Sequence, residues 1–255
     1  MFAPWRIPPL QSSRRPEIPL QACGTKRPPT PISFGDQDTV SQITQFLNVP
    51  LFASPVFGYE LPDCEPLNQA LLAACAARRT SEQSIAVSNQ IGWHSAPDLF
   101  VRKEEAFRSL CAQIGQVLTH VAQTTLPAFD LSIHDIQAHG WVNINPKGGF
   151  NTPHAHQGFH WSGCYYVAVP DPQDNRSGLI EFLDPRASVS MRMPDESVLF
   201  APKFQVRPRA GTMLIFPSFL NHWVYPNQDD DERVSVAFNA RVEARAHPQG
   251  AAVAP

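Results

Sequence analysis

Residues 212–227 read TMLIFPSFLNHWVYPN: a strongly apolar, β-prone run, a turn at a proline, and a second short run that begins at His222. Short runs of this kind, separated by Gly, Pro, Asn and Asp, continue from about residue 131 to residue 242. About seven or eight closely spaced strands without intervening helices predict antiparallel sheets, folded as a sandwich or a jelly roll. The predicted fold class is therefore mainly β, with flanking helices.

Two helices are predicted before this β-rich segment. Residues 65–79 are rich in alanine and leucine and end in two arginines, which favour a helix C-terminus. Residues 104–122 place apolar side chains at the i, i+3, i+4, i+7 spacing of one buried stripe. We expect both helices to support one sheet from outside.

Proline is frequent, with 26 residues, and it is concentrated near the N-terminus. Such a composition buries little apolar surface, so residues 1–44 are predicted to be a flexible or loosely draped extension. A strap that packs along the domain is the alternative. Residues 45–244 are predicted to form a single domain and residues 245–255 a frayed tail.

The overall composition limits the classes of function. Hydrophobic residues make up 43% of the 255 residues, enough for a substantial core, and the formal net charge is only −3. That charge argues against nucleic acid or an anionic membrane as a partner. The five cysteines are widely spaced without a CxxC motif, which favours a reduced, cytoplasmic setting. No segment approaches the ~18 continuous apolar residues of a membrane span.

Three histidines lie close together in residues 151–163, NTPHAHQGFHWSG. Imidazole is the commonest metal ligand among side chains, and His154 and His156 would fall on one face of an extended segment. His160 lies across a glycine and is the weaker candidate. A distant strand that folds back would supply His222 as the third ligand. The alternative is a polar, histidine-rich turn, with His222 satisfied by backbone groups at a sheet end.

The strand after His222 carries a pair of polar side chains. Period-two alternation places Arg233 and Ser235 on one face, opposite the neighbouring valines. Arginine offers a planar fork to a carboxylate and serine adds a hydroxyl donor, so a small acid could lie beside the metal. The alternative is a surface arginine that pairs with the acidic run at residues 229–232.

The order HxH, a distant histidine, then RxS resembles the 2-oxoglutarate- and Fe(II)-dependent oxygenases, and within them a little-characterised bacterial branch. The resemblance covers about residues 48–242. The motifs that carry it are SNQIGWHS at 88–95, the run 141–169, FLDPR at 182–186 and AGTMLIFPSFLNHWVYPN at 210–227.

This resemblance implies a double-stranded β-helix of jelly-roll type that uses Fe(II), 2-oxoglutarate and dioxygen. His154, His156 and His222 would be the iron ligands, and Arg233 and Ser235 would bind the distal carboxylate of 2-oxoglutarate. The candidates to line the cavity are the aromatic and amide residues Trp141, Asn143, Tyr165, Tyr166, Trp223 and Asn239. Of these, Asn143, Tyr166 and Asn239 are predicted to contact the cosubstrate. The two asparagines stand out because amides inside a sheet usually have a polar partner.

One position departs from the pattern of most members of this superfamily. Their first motif is HxD, whereas this sequence has His156 in the carboxylate position. Three neutral imidazoles leave the full double positive charge on the ion, which predicts altered or slower catalysis. Asp184 as a replacement carboxylate, or His156 bound to the ion through a water, are the alternatives.

The leading hypothesis is an Fe(II)/2-oxoglutarate-dependent dioxygenase that oxidises an unidentified small molecule or side chain. One alternative is a cupin-like, three-histidine metalloenzyme that does not use 2-oxoglutarate. Another is a non-catalytic β-sandwich that binds a partner. The sequence leaves a homodimer open and does not reveal the substrate.

Overall fold

The computed structural model describes residues 52–85, 87–170, 175–186 and 201–245. The predicted extension at residues 1–44 lies outside the described residues, as does the tail beyond residue 245. The proposed domain boundaries therefore stay predictions.

Two α-helices precede most of the strands, as predicted. Helix α1 spans Glu65–Ser81, with a proline in its first turn and two arginines in its last turn. These positions suit proline, whose missing N–H costs nothing there, and cations, which interact favourably with the helix C-terminus. Helix α2 spans Glu105–Thr125 and buries most of its apolar stripe, with Cys111 and Val117 half-buried. A short 3-10 helix, Leu99–Val101, lies between them.

Eleven strands lie within the described residues. Their bounds are β1 Phe57–Glu60, β2 Asn89–Gln90, β3 Trp93–His94, β4 His134–Asn145, β5 Phe150–His154, β6 Trp161–Ala168, β7 Ile180–Leu183, β8 Lys203–Val206, β9 Thr212–Pro217, β10 His222–Val224 and β11 Arg233–Ala244. The sequence predicted β4 and β6 to β11 but not the four short strands β1, β2, β3 and β5. The predicted run at 198–201 falls almost wholly outside the described residues.

The strands form two antiparallel sheets. The larger sheet has the order β1-β9-β6-β11-β4-β3, and the smaller has the order β2-β5-β10-β7-β8. Consecutive strands along the chain alternate between the sheets over most of this region, which is the jelly-roll connectivity expected from the sequence. The long strands β4 and β11 pair along their whole length, and Ser235 lies opposite Asn143.

Strand β9 shows how the two faces of the larger sheet differ. Met213 and Ile215 pack with the helices, whereas Leu214 and Phe216 pack with residues of the smaller sheet. The same alternation in β11 sends the valines toward the helices and Arg233 and Ser235 into the space between the sheets. The helices therefore seal one side of the larger sheet, and the other side is left to line a cavity.

Among the described residues, no helix is long and apolar enough to cross a bilayer.

Candidate metal centre and its cavity

Three imidazoles meet in the space between the two sheets. His154 ends β5 and lies directly opposite His222, which begins β10. His156 follows β5 in a turn, so it is not on the same strand as His154, although its ring is close. Ring centroids are separated by 4.4 Å for His154 and His222, 4.9 Å for His154 and His156, and 5.4 Å for His156 and His222. One ring nitrogen from each lies within 4.8 Å of the other two.

Backbone carbonyls fix two of these rings. His154 Nδ1 lies 2.6 Å from the carbonyl oxygen of Thr152, and His222 Nδ1 lies 2.9 Å from that of Leu220. A ring nitrogen that donates to a carbonyl leaves the opposite nitrogen as the lone-pair donor, the usual arrangement of a metal-binding histidine. The turn that carries His156 is held by its backbone N–H, which donates to the carbonyl of Ser218 over 2.9 Å.

Burial keeps the three imidazoles neutral. Desolvation, with a contribution from the neighbouring rings, lowers the pKa of His222 to about 3 and that of His156 to about 4. Desolvation also lowers the pKa of His154 from its usual value, opposed by its hydrogen bond to Thr152. Neutral imidazole is the form that binds a metal ion, so the three rings are ready to ligate at neutral pH.

No carboxylate joins this group among the described residues. Asp184, the candidate replacement, is paired with Arg186 through two guanidinium contacts of 2.7 and 3.0 Å and is not part of the cluster. His160 is also outside it, and its Nδ1 accepts the backbone N–H of Val242 over 3.0 Å. The cluster is thus made of imidazoles alone.

The guanidinium of Arg233 lies in the same cavity and is 2% exposed. It donates to Ser235 Oγ over 3.3 Å and lies 5.1 Å from the centre of the Tyr166 ring. Its Nε has no hydrogen-bond partner, and no carboxylate of the described residues pairs with it. The acidic run before it pairs elsewhere: Glu232 with Arg79 and Asp230 with Lys147. The surface alternative for this arginine is therefore wrong.

Backbone geometry makes room for this arginine. Gly178 has a φ of +63°, and a Cβ built there would lie 3.2 Å from Arg233 Cδ. Glycine adopts this left-handed conformation without strain and leaves the side of the guanidinium stem clear. A buried cation without an anionic partner is costly, so the arrangement calls for an anionic ligand.

The other predicted cosubstrate contacts divide by position. Asn143 lines the cavity and is 5% exposed; its Oδ1 accepts from Asn89 over 3.2 Å, which leaves its amide nitrogen directed to no described partner. The Tyr166 hydroxyl is buried in the cavity and has no hydrogen-bond partner among the described residues. Asn239 accepts a 2.7 Å hydrogen bond from Ser162 and lies farther along the larger sheet.

Two aromatic candidates point away from the cavity. Tyr165 faces the helices, where its hydroxyl donates to Asn68 over 2.7 Å, and Trp223 lies on the outer face of the smaller sheet, where it donates to Glu181 over 3.1 Å. Each is the chain neighbour of a residue that faces inward, Tyr166 or His222. Because adjacent strand residues face opposite sides, only one of each pair can line the cavity.

The sequence reasoning missed several residues of the cavity. Ser88 and Asn151 line the cavity, and Ser88 Oγ lies 3.5 Å from His154 Nε2. His139, two positions before Trp141 on β4, does not line the cavity itself but packs on the Trp141 ring, 5.8 Å away between ring centroids. Alternation from Trp141 and Asn143 along β4 could have indicated His139. Ser88 could not have been found this way, because its place depends on the pairing of β2 with β5.

The donor set fits a ferrous ion with a bound 2-oxo acid. Imidazole is a suitable ligand for iron, and His154, His156 and His222 would hold the ion while leaving it free to bind a cosubstrate and dioxygen. The unpartnered Arg233 Nε and Tyr166 hydroxyl supply the polar groups that a carboxylate would satisfy.

Comparison with known proteins supports this reading. Residues 139–239 match the family model described as putative 2OG-Fe(II) oxygenase. This part of the chain is similar to the 2OG-Fe(II) oxygenases. That match spans β4 to β11 up to Asn239, and so it contains the three clustered histidines together with Arg233 and Ser235. No sequence among curated proteins matches the chain.

Several solved oxygenase structures resemble the fold. A prolyl-4-hydroxylase from Pseudomonas putida is 18% identical, with a TM-score of 0.53 over 80% of this chain and 95% of that chain. A prolyl hydroxylase from Trichoplax adhaerens, in complex with a peptide fragment of hypoxia inducible factor, is 12% identical, with a TM-score of 0.53 over 73% and 83%. HygX from Streptomyces hygroscopicus, with nickel and 2-oxoglutarate bound, is 12% identical, with a TM-score of 0.50 over 74% and 83%.

These similarities confirm the double-stranded β-helix fold that the sequence predicts. The family match confirms the resemblance to oxygenases that use Fe(II) and 2-oxoglutarate, and with it the expectation of a dioxygenase-type enzyme. The narrower assignment to a bacterial branch stays a prediction.

Proposed function

We propose that this oxygenase holds its iron with His154, His156 and His222 and binds the distal carboxylate of 2-oxoglutarate with Arg233 and Ser235, to oxidise a small molecule or a side chain. The observation that carries this proposal is that one cavity holds both a cluster of neutral imidazoles and a buried guanidinium, and that no carboxylate of the described residues pairs with this guanidinium.

Each proposed contact uses a group that is already held in place. Arg233 is positioned by Ser235 and by the Tyr166 ring, so its fork can meet a carboxylate without first becoming ordered. The unpartnered hydroxyl of Tyr166 lies beside it as a further donor. Asn143 directs its free amide nitrogen into the same cavity, where it suits the oxygen atoms at the other end of a dicarboxylate.

Iron with 2-oxoglutarate would supply the oxidising chemistry, in which dioxygen is consumed and the 2-oxo acid loses carbon dioxide to give succinate. The protein contributes binding, orientation and exclusion of water. The larger sheet and its helices close one side of the cavity, and Phe216 and Ile180 give it apolar walls. Such a dry site strengthens every electrostatic contact to the bound dianion.

The absence of a carboxylate from the described ligand cluster has a charge consequence. An HxD motif would reduce the charge of the ion by one, whereas three neutral imidazoles leave it unchanged. A dipositive ion and the Arg233 cation together favour a dianionic cosubstrate. We infer that this site is specialised for tight binding of 2-oxoglutarate, and that its chemistry differs in rate or outcome from that of HxD members.

Formation of succinate from 2-oxoglutarate under air tests the proposal. We expect turnover that requires Fe(II) even without the true substrate, and its loss in Arg233→Met and His222→Ala. Arg245→Met is the matched control, because Arg245 is exposed and pairs only with Asp135 over 2.7 Å. A protein that binds iron but neither binds nor consumes 2-oxoglutarate would favour the cupin-like alternative. Absence of stoichiometric iron after anaerobic reconstitution would favour a non-catalytic role.

We also infer a cytoplasmic location. Four cysteines of the described residues, Cys64, Cys75, Cys111 and Cys164, are free thiols, which suits a reducing compartment. Fractionation of cells that express the full chain would test this inference, and recovery of the protein from an oxidising compartment would contradict it.

A further inference from the structure

A row of aromatic rings extends from the metal cluster along the inner face of β4. Trp141 lies 5.8 Å from His156, measured between ring centroids, and nearly parallel to two further imidazoles. His94 is 5.4 Å from it at an interplanar angle of 17°, and His139 is 5.8 Å from it at 26°. Phe159 closes the row, 4.7 Å from His139. We call His94, Trp141, His139 and Phe159 the ring row.

Polar neighbours orient the imidazole of His139. Ser162 donates to Asn239 Oδ1 over 2.7 Å, which turns the amide nitrogen of Asn239 toward His139 Nε2 at 3.4 Å. If that nitrogen accepts, the proton of the neutral ring is on Nδ1, which has no partner among the described residues. The indole N–H of Trp141 likewise has no acceptor there. The ring row thus offers two unused donors next to flat apolar surfaces.

Charge decides which groups can lie against the ring row. Of the ring row, Trp141 lines the cavity of the imidazole cluster, and the described lining of that cavity includes Arg233 but no aspartate or glutamate. Burial lowers the pKa of His94 and of His139, the latter also through repulsion from Arg241, so both rings are uncharged at neutral pH. With the 2-oxoglutarate dianion bound, the dipositive ion and the Arg233 guanidinium leave the site a net charge of +1, so a cationic substrate would meet a repulsive field. A neutral group would not.

We propose that the ring row is the substrate subsite, and that it accepts a flat, uncharged ring bearing a hydrogen-bond acceptor such as an amide carbonyl. This inference rests on the proposed function, because it takes the imidazole cluster as the reacting end of the cavity. A flat ring extends the near-parallel packing of His94, Trp141 and His139, and its acceptor meets the free N–H of His139 or Trp141.

Three related probes test this specificity by calorimetry on the full chain, loaded anaerobically with Fe(II) and 2-oxoglutarate. Benzamide has the proposed shape and acceptor, benzamidine replaces the carbonyl with a cationic amidine, and cyclohexanecarboxamide keeps the carbonyl on a puckered ring. We expect benzamide to bind the wild-type protein at least about tenfold more tightly than benzamidine, since one unfavourable charge contact is sufficient for that ratio. Cyclohexanecarboxamide should bind more weakly than benzamide.

Variants assign the binding to the ring row. Trp141→Leu and His139→Ala should each weaken benzamide about three- to tenfold, the range of one aromatic contact or one hydrogen bond. His139→Phe keeps a ring and loses only the N–H, so it should recover part of the loss. His134→Ala is the matched control: His134 is on the same strand but stacks on Phe129, outside the cavity.

The outcomes separate the two proposals. If the wild-type protein does not bind 2-oxoglutarate, the proposed function itself is overturned. If 2-oxoglutarate binds, the subsite is overturned by failure of benzamide to bind, by equal or tighter binding of benzamidine or cyclohexanecarboxamide, or by unchanged benzamide affinity in both ring-row variants.

Discussion

Replacement of Arg233 by methionine is expected to separate cosubstrate binding from stability. Its guanidinium is 2% exposed, has no carboxylate partner among the described residues, and donates to Ser235. Truncation of one partner in a buried charge pair costs about 2–5 kcal/mol of binding free energy, so the dissociation constant of 2-oxoglutarate should rise roughly 30- to 5,000-fold. Ser235→Ala removes one hydrogen bond and should cost about 0.5–1.5 kcal/mol.

The stability of the ligand-free protein should not suffer from the same replacement. The Arg233 charge is desolvated without compensation until an anion binds, so its removal removes an unfavourable term. We expect the free energy of unfolding of the ligand-free Arg233→Met protein to stay within about 1 kcal/mol of the wild-type value or to increase. The stabilisation of about 2.7 kcal/mol that 2-oxoglutarate gives the wild-type protein at 100 times its dissociation constant should fall below about 1 kcal/mol at the same concentration.

Anaerobic calorimetry with Fe(II) and 2-oxoglutarate measures the affinity, and urea unfolding with and without 2-oxoglutarate measures the stability. Arg245→Met, which removes an exposed arginine just beyond the same strand, should leave both quantities unchanged. The reasoning is refuted if Arg233→Met binds 2-oxoglutarate within threefold of wild type. It is also refuted if the ligand-free variant loses more than about 3 kcal/mol, since the arginine would then be a structural partner.

Three further predictions concern the metal, the pH response and the core. His154→Ala and His222→Ala should abolish stoichiometric iron binding, measured by elemental analysis after anaerobic reconstitution. His160→Ala should retain the iron, because His160 lies outside the cluster and accepts a hydrogen bond from Val242. Equal loss of iron in all three variants would contradict the assignment. The pKa of His222 in the folded protein is about 3, below the ordinary value near 6.5, so the unfolded chain takes up this proton first as the pH falls. The metal-free protein should therefore lose stability between about pH 6.5 and pH 3. His222 can contribute at most about 1.4 kcal/mol to this loss per pH unit. His222→Gln should make that slope shallower in urea unfolding between about pH 7 and pH 5, and an unchanged slope would show that His222 is not the group responsible. Phe107→Ala should lower the free energy of unfolding by about 3–5 kcal/mol, because Phe107 is fully buried between α2 and the larger sheet. Val101→Ala, at a 78% exposed position, should change it by less than about 0.5 kcal/mol. Similar effects from both variants would mean that α2 does not form part of this core.

Much of the fold was accessible from the sequence because its signals are local. The β-prone runs and the apolar stripe of α2 depend only on neighbours in the chain, and both elements formed where they were predicted. Strand β5 was missed because Pro153 interrupts it and a proline within a run argues against a strand. Strands β2 and β3 are two residues long each, too short for any periodicity.

The candidate site was predictable where one strand carries the pattern. Arg233 and Ser235 lie on the same face of their strand because side chains alternate. His154 and His156 are only two positions apart, so their side chains must lie close together in space. The ring row was not predictable as a unit, because His94 and Trp141 meet only through the pairing of β3 with β4. Alternation along the strands could also have excluded Tyr165 and Trp223 from the cavity, because their chain neighbours Tyr166 and His222 were already predicted to face it.

The direct pairing of His154 with His222 across β5 and β10 has a consequence for how such a centre can be lost or altered. The distance between the two imidazoles follows from the spacing of paired residues on adjacent strands. The backbone therefore helps to determine which size of ion the site prefers. Strand β10 is three residues long, and a slip of a single residue would exchange His222 for Trp223 and dismantle the site in one step. Insertions or deletions in the flanking turns should therefore act as all-or-none changes, whereas substitutions elsewhere on the sheet can tune the enzyme gradually.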